Sequence, residues 1–134
     1  MVKLSACLFM AALLLAGPAR SHHSFPVHYI PEKMISISGV VSEFRYVNPH
    51  AVVFLAVEDQ QGVEQTWSVE WAGSSALRRR GVLPGSISAG DRVTIEGNPA
   101  RDGSHSMRLN ILSFADGRAP IGPPSRAGTT NNED

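Results

Sequence analysis

The stretch Met34-Ile35-Ser36-Ile37-Ser38-Gly39-Val40-Val41-Ser42-Glu43-Phe44-Arg45-Tyr46 decides the fold class. Its apolar positions fall at Ile35 and Ile37 and resume at Val41 or its neighbour Val40, so a period of two hesitates around Gly39 and restarts. β-Branched residues at alternate positions suit a pleated strand with one buried face. A glycine at the hesitation predicts a bulge or a sharp bend there.

Downstream, Asn48-Pro49 breaks the chain, Ala51–Glu58 reads as a second strand, Asp59-Gln60-Gln61-Gly62 as a turn and Val63–Trp71 as a third strand. These three should form a meander. Ser74–Gly81 offers an N-cap candidate at one end and a C′ glycine at the other, which predicts a helix of two turns at most. Gly90-Asp91 turns into Arg92–Gly97, where Val93 and Ile95 share a face, and a loop containing Asp102-Gly103 leads to Met107–Phe114. There Met107, Leu109 and Ile111 lie on one face, and Asn110, Leu112 and Phe114 on the other. Apolar groups on both faces fit a closed or covered sheet. From Ala115 onward Gly, Pro, Ser, Thr and Asn dominate without a period, so residues 115–134 are expected to be a disordered tail. The expected fold is all-β: a small five-stranded OB-like Greek-key barrel over residues 22–114, with one short helix between strands 3 and 4. An open β-sandwich is the rival, and closure is favoured because it removes exposed strand edges.

Residues 1–21 carry Lys3, an apolar run of about 13 residues from Leu4 to Ala16, and Gly17-Pro18 before Ala19-Arg20-Ser21, which is the pattern of a secretory signal peptide. The run is shorter than the roughly 20 residues a membrane-spanning helix needs, so no membrane insertion is expected after cleavage. Small residues at Ala19 and Ser21 place the cut before His22; cleavage after Ala16 is the alternative. The only cysteine, Cys7, stands near the start of the apolar run and not after it, which disfavours a lipoprotein. The mature chain then has no thiol for a disulfide, a nucleophile or a metal. A periplasmic or secreted location follows as the expectation.

The 134 residues, 43% of them hydrophobic, suit one domain and exclude a multidomain machine. Twelve Lys and Arg balance twelve Asp and Glu, and without Lys3 and Arg20 ten cations face twelve anions, a net charge of −2. Such a balance gives no electrostatic footprint for nucleic acid.

Several motifs together resemble the DUF6152 family of small secreted bacterial proteins of unknown function. They are His22-His23-Ser24-Phe25, Gly39-Val40-Val41, Asn48-Pro49-His50, Trp67, Leu77 with Arg79 and Gly81, Gly90-Asp91-Arg92-Val93, and Asp102-Gly103. They run from His22 to about Gly117, and the first and third groups are the most specific. The resemblance implies an exported single-domain β protein and brings no activity. The run of three arginines at 78–80 and His28 look like features of this chain, and the resemblance carries no role onto them.

The histidines carry the functional expectation. With His22 as the N-terminus, its amine and ring nitrogen can chelate one metal, and an all-nitrogen set suits Cu(II) by the Irving–Williams order. An α-amino group with an unperturbed pKa of ~7.7–8.0 loses its proton to a metal at little cost. His23 offers a second route through amine, backbone amide and imidazole, and His50, at a strand start behind a proline, is the preferred third ligand. The set resembles, in ligand type alone, the copper brace of lytic polysaccharide monooxygenases and of periplasmic copper carriers. Zinc is the competing metal. The plainer reading makes His22 and His23 ordinary terminal residues and His50 a turn residue bonded within its own tripeptide. His28 and His105 take that reading more strongly.

Trp67 is expected in the core, whereas Trp71 at the end of its strand is a candidate platform which, with Asn48, would bind a peptide, a glycan or a partner protein. Consecutive arginines on a helix diverge by about 100°, so Arg78–Arg80 read as a solvated face. No phosphate loop or nucleophile elbow is present, and no strand sets Glu43, Glu58 or Glu70 beside a histidine by sequence alone. The expectation is an exported copper-handling protein and not an enzyme; the alternative is a metal-free interaction module.

Overall fold

The computed structural model describes residues 25–122. The expected signal peptide, His22, His23 and residues 123–134 of the expected tail lie outside them. Helix α1 (Phe25–His28) leads into strands β1 (Ile35–Arg45), β2 (Val52–Glu58) and β3 (Glu64–Glu70), then helix α2 (Ser74–Arg79), a 3₁₀ turn at Pro84–Ser86, and strands β4 (Arg92–Pro99) and β5 (Ser106–Phe114). The sheet closes in the order β1-β2-β3-β5-β4, the OB arrangement, which excludes the open sandwich.

β1 achieves the closure by serving two neighbours. Ile35–Val40 pair with β4 from Gly97 to Arg92, and Val40–Arg45 pair with β2 from Ala56 to Val52. Gly39 sits where the strand changes partner, and a Cβ there would run into the Ala56 carbonyl oxygen and the Val57 side chain. The bulge, however, is three residues further on: the pairing jumps from Val41↔Leu55 to Glu43↔Phe54, leaving Ser42 over. The glycine therefore marks a close approach and not the bulge.

A second bulge explains β5. Glu96 pairs with Ile111 and Gly97 with Leu109, so Asn110 is extra and the inward face changes phase. Met107 and Leu109 before it, and Leu112 and Phe114 after it, all enter the core. The two apolar faces expected of this strand are thus one interior face read across a bulge. Val41, Val53, Leu55, Val69 and Ile95 share that interior, and Leu77 of α2 joins them.

α2 begins at Gly73, whose backbone offers no side-chain cap; Asn48 takes that role from outside, accepting the Ser75 N–H at 3.3 Å and donating to Ser75 Oγ at 3.1 Å. It ends in a Schellman motif. Gly81, with φ of 80°, donates to the Arg78 carbonyl and Val82 to the Leu77 carbonyl, while both Leu77 and Val82 are buried. The expected C′ glycine holds, and the expected N-cap Ser74 is one residue late.

Two expectations need correction. Trp71 is 3% exposed inside the core, so its ring has no face for a ligand; its backbone N–H donates to the Ala51 carbonyl at 2.8 Å, which keeps it in the β2–β3 ladder. Residues 115–122, the described part of the expected disordered tail, are docked on the barrel: Ile121 exchanges both backbone hydrogen bonds with Leu112 at 2.8 Å, and Arg118 bridges Asp91 and Asp116 with its guanidinium over Phe114. The low-complexity composition concealed one apolar residue and one arginine that dock the segment.

Candidate ligand site around Glu70

β3 and β5 run parallel for only three pairs, Ser68↔Ser106, Val69↔Met107 and Glu70↔Arg108. Val69 and Met107 point inward, so Glu70 and Arg108 stand side by side on the outer face. Arg108 Nη1 donates to Glu70 Oε1 at 2.8 Å. His50 reaches the same oxygen. The chain enters β2 through Ala51, which donates to the Ala72 carbonyl and accepts from Trp71 N–H, extending the β2–β3 ladder by one step and bringing His50 Nδ1 to 2.8 Å from Glu70 Oε1. The Asn48–Pro49 peptide before it is cis. Between them, Asn48 and His50 tie this turn to α2 and to β3.

The third donor comes from the segment ahead of β1. Tyr29 bridges to Ala100 in antiparallel fashion, Ile30 N–H donates to the Pro99 carbonyl, and Asn98 Nδ2 reaches the carbonyls of Ile30, Pro31 and Lys33 at 3.3, 3.1 and 2.8 Å. Arg101 secures the same strap through its N–H to the His28 carbonyl and Nη2 to the Tyr29 carbonyl. Tyr29, 7% exposed, then donates its hydroxyl to Glu70 Oε2 at 2.7 Å. Burial, and after it the hydrogen bond and charge of Glu70, push the phenol up to about 12. It remains a neutral donor throughout the physiological range.

A cavity of about 520 Å³ opens beside this cluster, lined by Tyr29, His50, Glu70 and Arg108 with His28 from α1 and Asp102 from the β4–β5 loop. Ser104 donates to Asp102 Oδ1 from its hydroxyl at 2.7 Å and from its N–H at 3.0 Å, which holds that carboxyl below its ordinary range. Among the described residues no buried side-chain nitrogen or oxygen lacks a partner, and no group of three His, Cys, Asp or Glu is placed to hold a metal.

Of the residues singled out in the sequence, His50 enters the cavity, Asn48 supports its turn and Trp71 belongs to the core. His28, set aside there, lines the cavity. His105 lies elsewhere, stacked on Trp67 with ring centroids 5.2 Å apart. Trp67 itself is partly buried against the core. Glu70, Arg108 and Tyr29 were missed. Alternation marks Glu70 as outward beside inward Val69, but only the β3–β5 pairing, made across a long stretch of chain, puts Arg108 next to it.

The chain is similar in structure to the mitochondrial single-stranded DNA binding protein Rim1 of S. cerevisiae, at 16% identity, with 62% of this chain and 93% of that chain covered and a TM-score of 0.49. The small single-stranded DNA-binding protein of Streptomyces coelicolor is similar at 16% identity, 61% and 90% coverage and a TM-score of 0.37. Binding of single-stranded DNA is a property of those proteins. No curated protein matches the sequence. Residues 11–108 match the family of unknown function DUF6152, as far as Arg108 of the Glu70 cluster, and the chain belongs to that family.

Proposed function

We propose that this is an exported OB-fold protein that binds one copper ion at the Glu70 cavity, through His50 together with His22 and His23 at the mature N-terminus, and serves metal handling. The observation that carries the reading is His50 held by a carboxylate through Nδ1, the arrangement that orients imidazoles for metals. Two features support it. With histidines neutral, Glu70 and Asp102 against Arg108 leave the lining one negative charge, which favours a cation. His28 lines the cavity, and an extended chain covers about 3.3–3.6 Å per residue, so the six steps from His22 to His28 keep the terminus within about 20 Å of it. Nucleic acid is not part of the reading, because ten cations against twelve anions leave the mature chain without the net positive charge that draws a phosphate backbone.

The test is mass determination of the exported, tag-free chain followed by titration of the same material with Cu(II) and Zn(II) against a competing chelator. A chain starting at His22 that takes up one equivalent of copper, and a His50→Ala variant that folds but loses it, is the expected result. A different start, or weak uptake without stoichiometry, overturns the copper site. The second reading then applies: a metal-free module taking a peptide or glycan in the same cavity. It is favoured by the incomplete ligand set among the described residues.

A further inference from the structure

We propose that Glu70 is the positioning residue of this site: it holds His50 in the tautomer with the proton on Nδ1 and the lone pair on Nε2, while Arg108 and Tyr29 hold Glu70. The consequence for copper rests on the reading above; the tautomer itself does not.

A carboxylate only accepts, so a 2.8 Å contact between Glu70 Oε1 and His50 Nδ1 requires the proton on Nδ1. In a neutral imidazole the bond made by one nitrogen fixes the state of the other. The carboxylate has little freedom to turn away. Arg108 Nη1 occupies Oε1 at 2.8 Å from β5, and the Tyr29 hydroxyl occupies Oε2 at 2.7 Å from the strap. Its backbone is fixed on both sides by Val52↔Glu70 and Glu70↔Arg108. Three elements distant in sequence thus supply three donors to one side chain, and each donor also draws on its neighbours' charge. Tyr29 links this arrangement to the strap, so docking of the segment that precedes β1 and orientation of His50 are parts of one assembly. The arrangement needs a carboxylate in particular. An amide has one acceptor oxygen and brings its own donors, so glutamine at position 70 cannot accept from tyrosine, arginine and histidine together.

The experiment is long-range ¹H–¹⁵N NMR on the metal-free mature chain labelled at histidine, at a pH above the ordinary histidine range. His50 is expected as the Nδ1–H form, with a Nε2 signal typical of an unprotonated nitrogen, and this preference should vanish in urea. In Glu70→Gln the preference should be lost while the fold persists, and copper affinity should fall about 10–100-fold, the usual cost of removing such a partner. Wild-type His50 found as the Nε2–H form overturns the proposal, as does a preference that survives in urea or in folded Glu70→Gln. If Glu70→Gln does not fold, the folded and urea-unfolded wild-type spectra decide alone. If the tautomer behaves as expected but copper affinity is equal in both proteins, the positioning role stands and the copper reading falls.

Discussion

Tyr29 shows most clearly how one side chain joins stability to the site. Its phenol is buried and donates to a carboxylate, so the neutral form is favoured and the pKa rises from 10.0 to about 12. In the unfolded chain the phenol ionises near 10. The linkage follows directly: the stabilisation is complete below pH 10 and is lost as pH rises through 10 to 12, where the unfolded state releases its proton first. Tyrosinate absorbance should show one phenol ionising only near pH 12, and the unfolding free energy of the wild type should decline across that window more steeply than that of Tyr29→Phe. Parallel declines would place Tyr29 outside any coupled interaction. None of this could be read from the sequence. Tyr29 stands between His28 and Ile30 in a proline-flanked segment without a period, and its partner Glu70 lies 41 positions away. His50 was legible for a different reason: a histidine fixed behind a proline at a strand start already suggests an ordered ring.

At the level of single elements, β1 carries the architecture. The sequence pattern located the irregularity at Gly39, and the physical cause proved to be the approach of β2 to the strand where it passes from one partner to the other. Gly97 is its counterpart beside the β5 bulge, where a Cβ would meet the Arg108 carbonyl oxygen. Gly39→Ala has to displace backbone and not a flexible side chain, so a loss of about 1–3 kcal/mol is expected, the range for overpacking. A lowered urea midpoint with an unchanged slope is the checking observation, and an unaltered midpoint would show that the two strands separate freely. Bulges at Ser42 and Asn110 were not legible, because each shifts the phase of a pattern without adding a turn residue. That hidden shift made β5 look two-faced. Trp71 was misassigned, whereas Trp67 packs partly buried against the core as expected. Both lie on one face by period two, but Trp71 joins Leu77, Val82 and Ile87 in the buried core while Trp67 stacks on His105.

Across the whole molecule, the barrel is closed by unequal seams. β1–β2, β2–β3 and β4–β5 are antiparallel ladders of five to seven register pairs, and β1–β4 adds six more, whereas β3–β5 is parallel with three. Parallel pairs are slightly weaker per residue, so the seam between β3 and β5 is the place where the cylinder opens first. The Glu70 cluster straddles that seam: Glu70 belongs to β3, Arg108 to β5, and Tyr29 and His50 fasten to the carboxylate from the strap and from the turn before β2. A ligand that engages His50 therefore stabilises the closed cylinder, and its binding energy appears as protection of the seam. Native-state hydrogen exchange should find the Ser68 N–H, which donates to the His105 carbonyl at the seam, exchanging faster than the Val41 N–H, which donates to the Asp91 carbonyl at the β1–β4 junction. Addition of one equivalent of Cu(II) should slow the first selectively. Arg108→Met should raise the exchange of the seam amides without altering those of β1–β2, because it removes a cross-seam donor and leaves the interior untouched. Equal exchange at both seams, or uniform slowing on ligand addition, would mean that the cylinder opens as a unit and that the polar cluster contributes to binding alone.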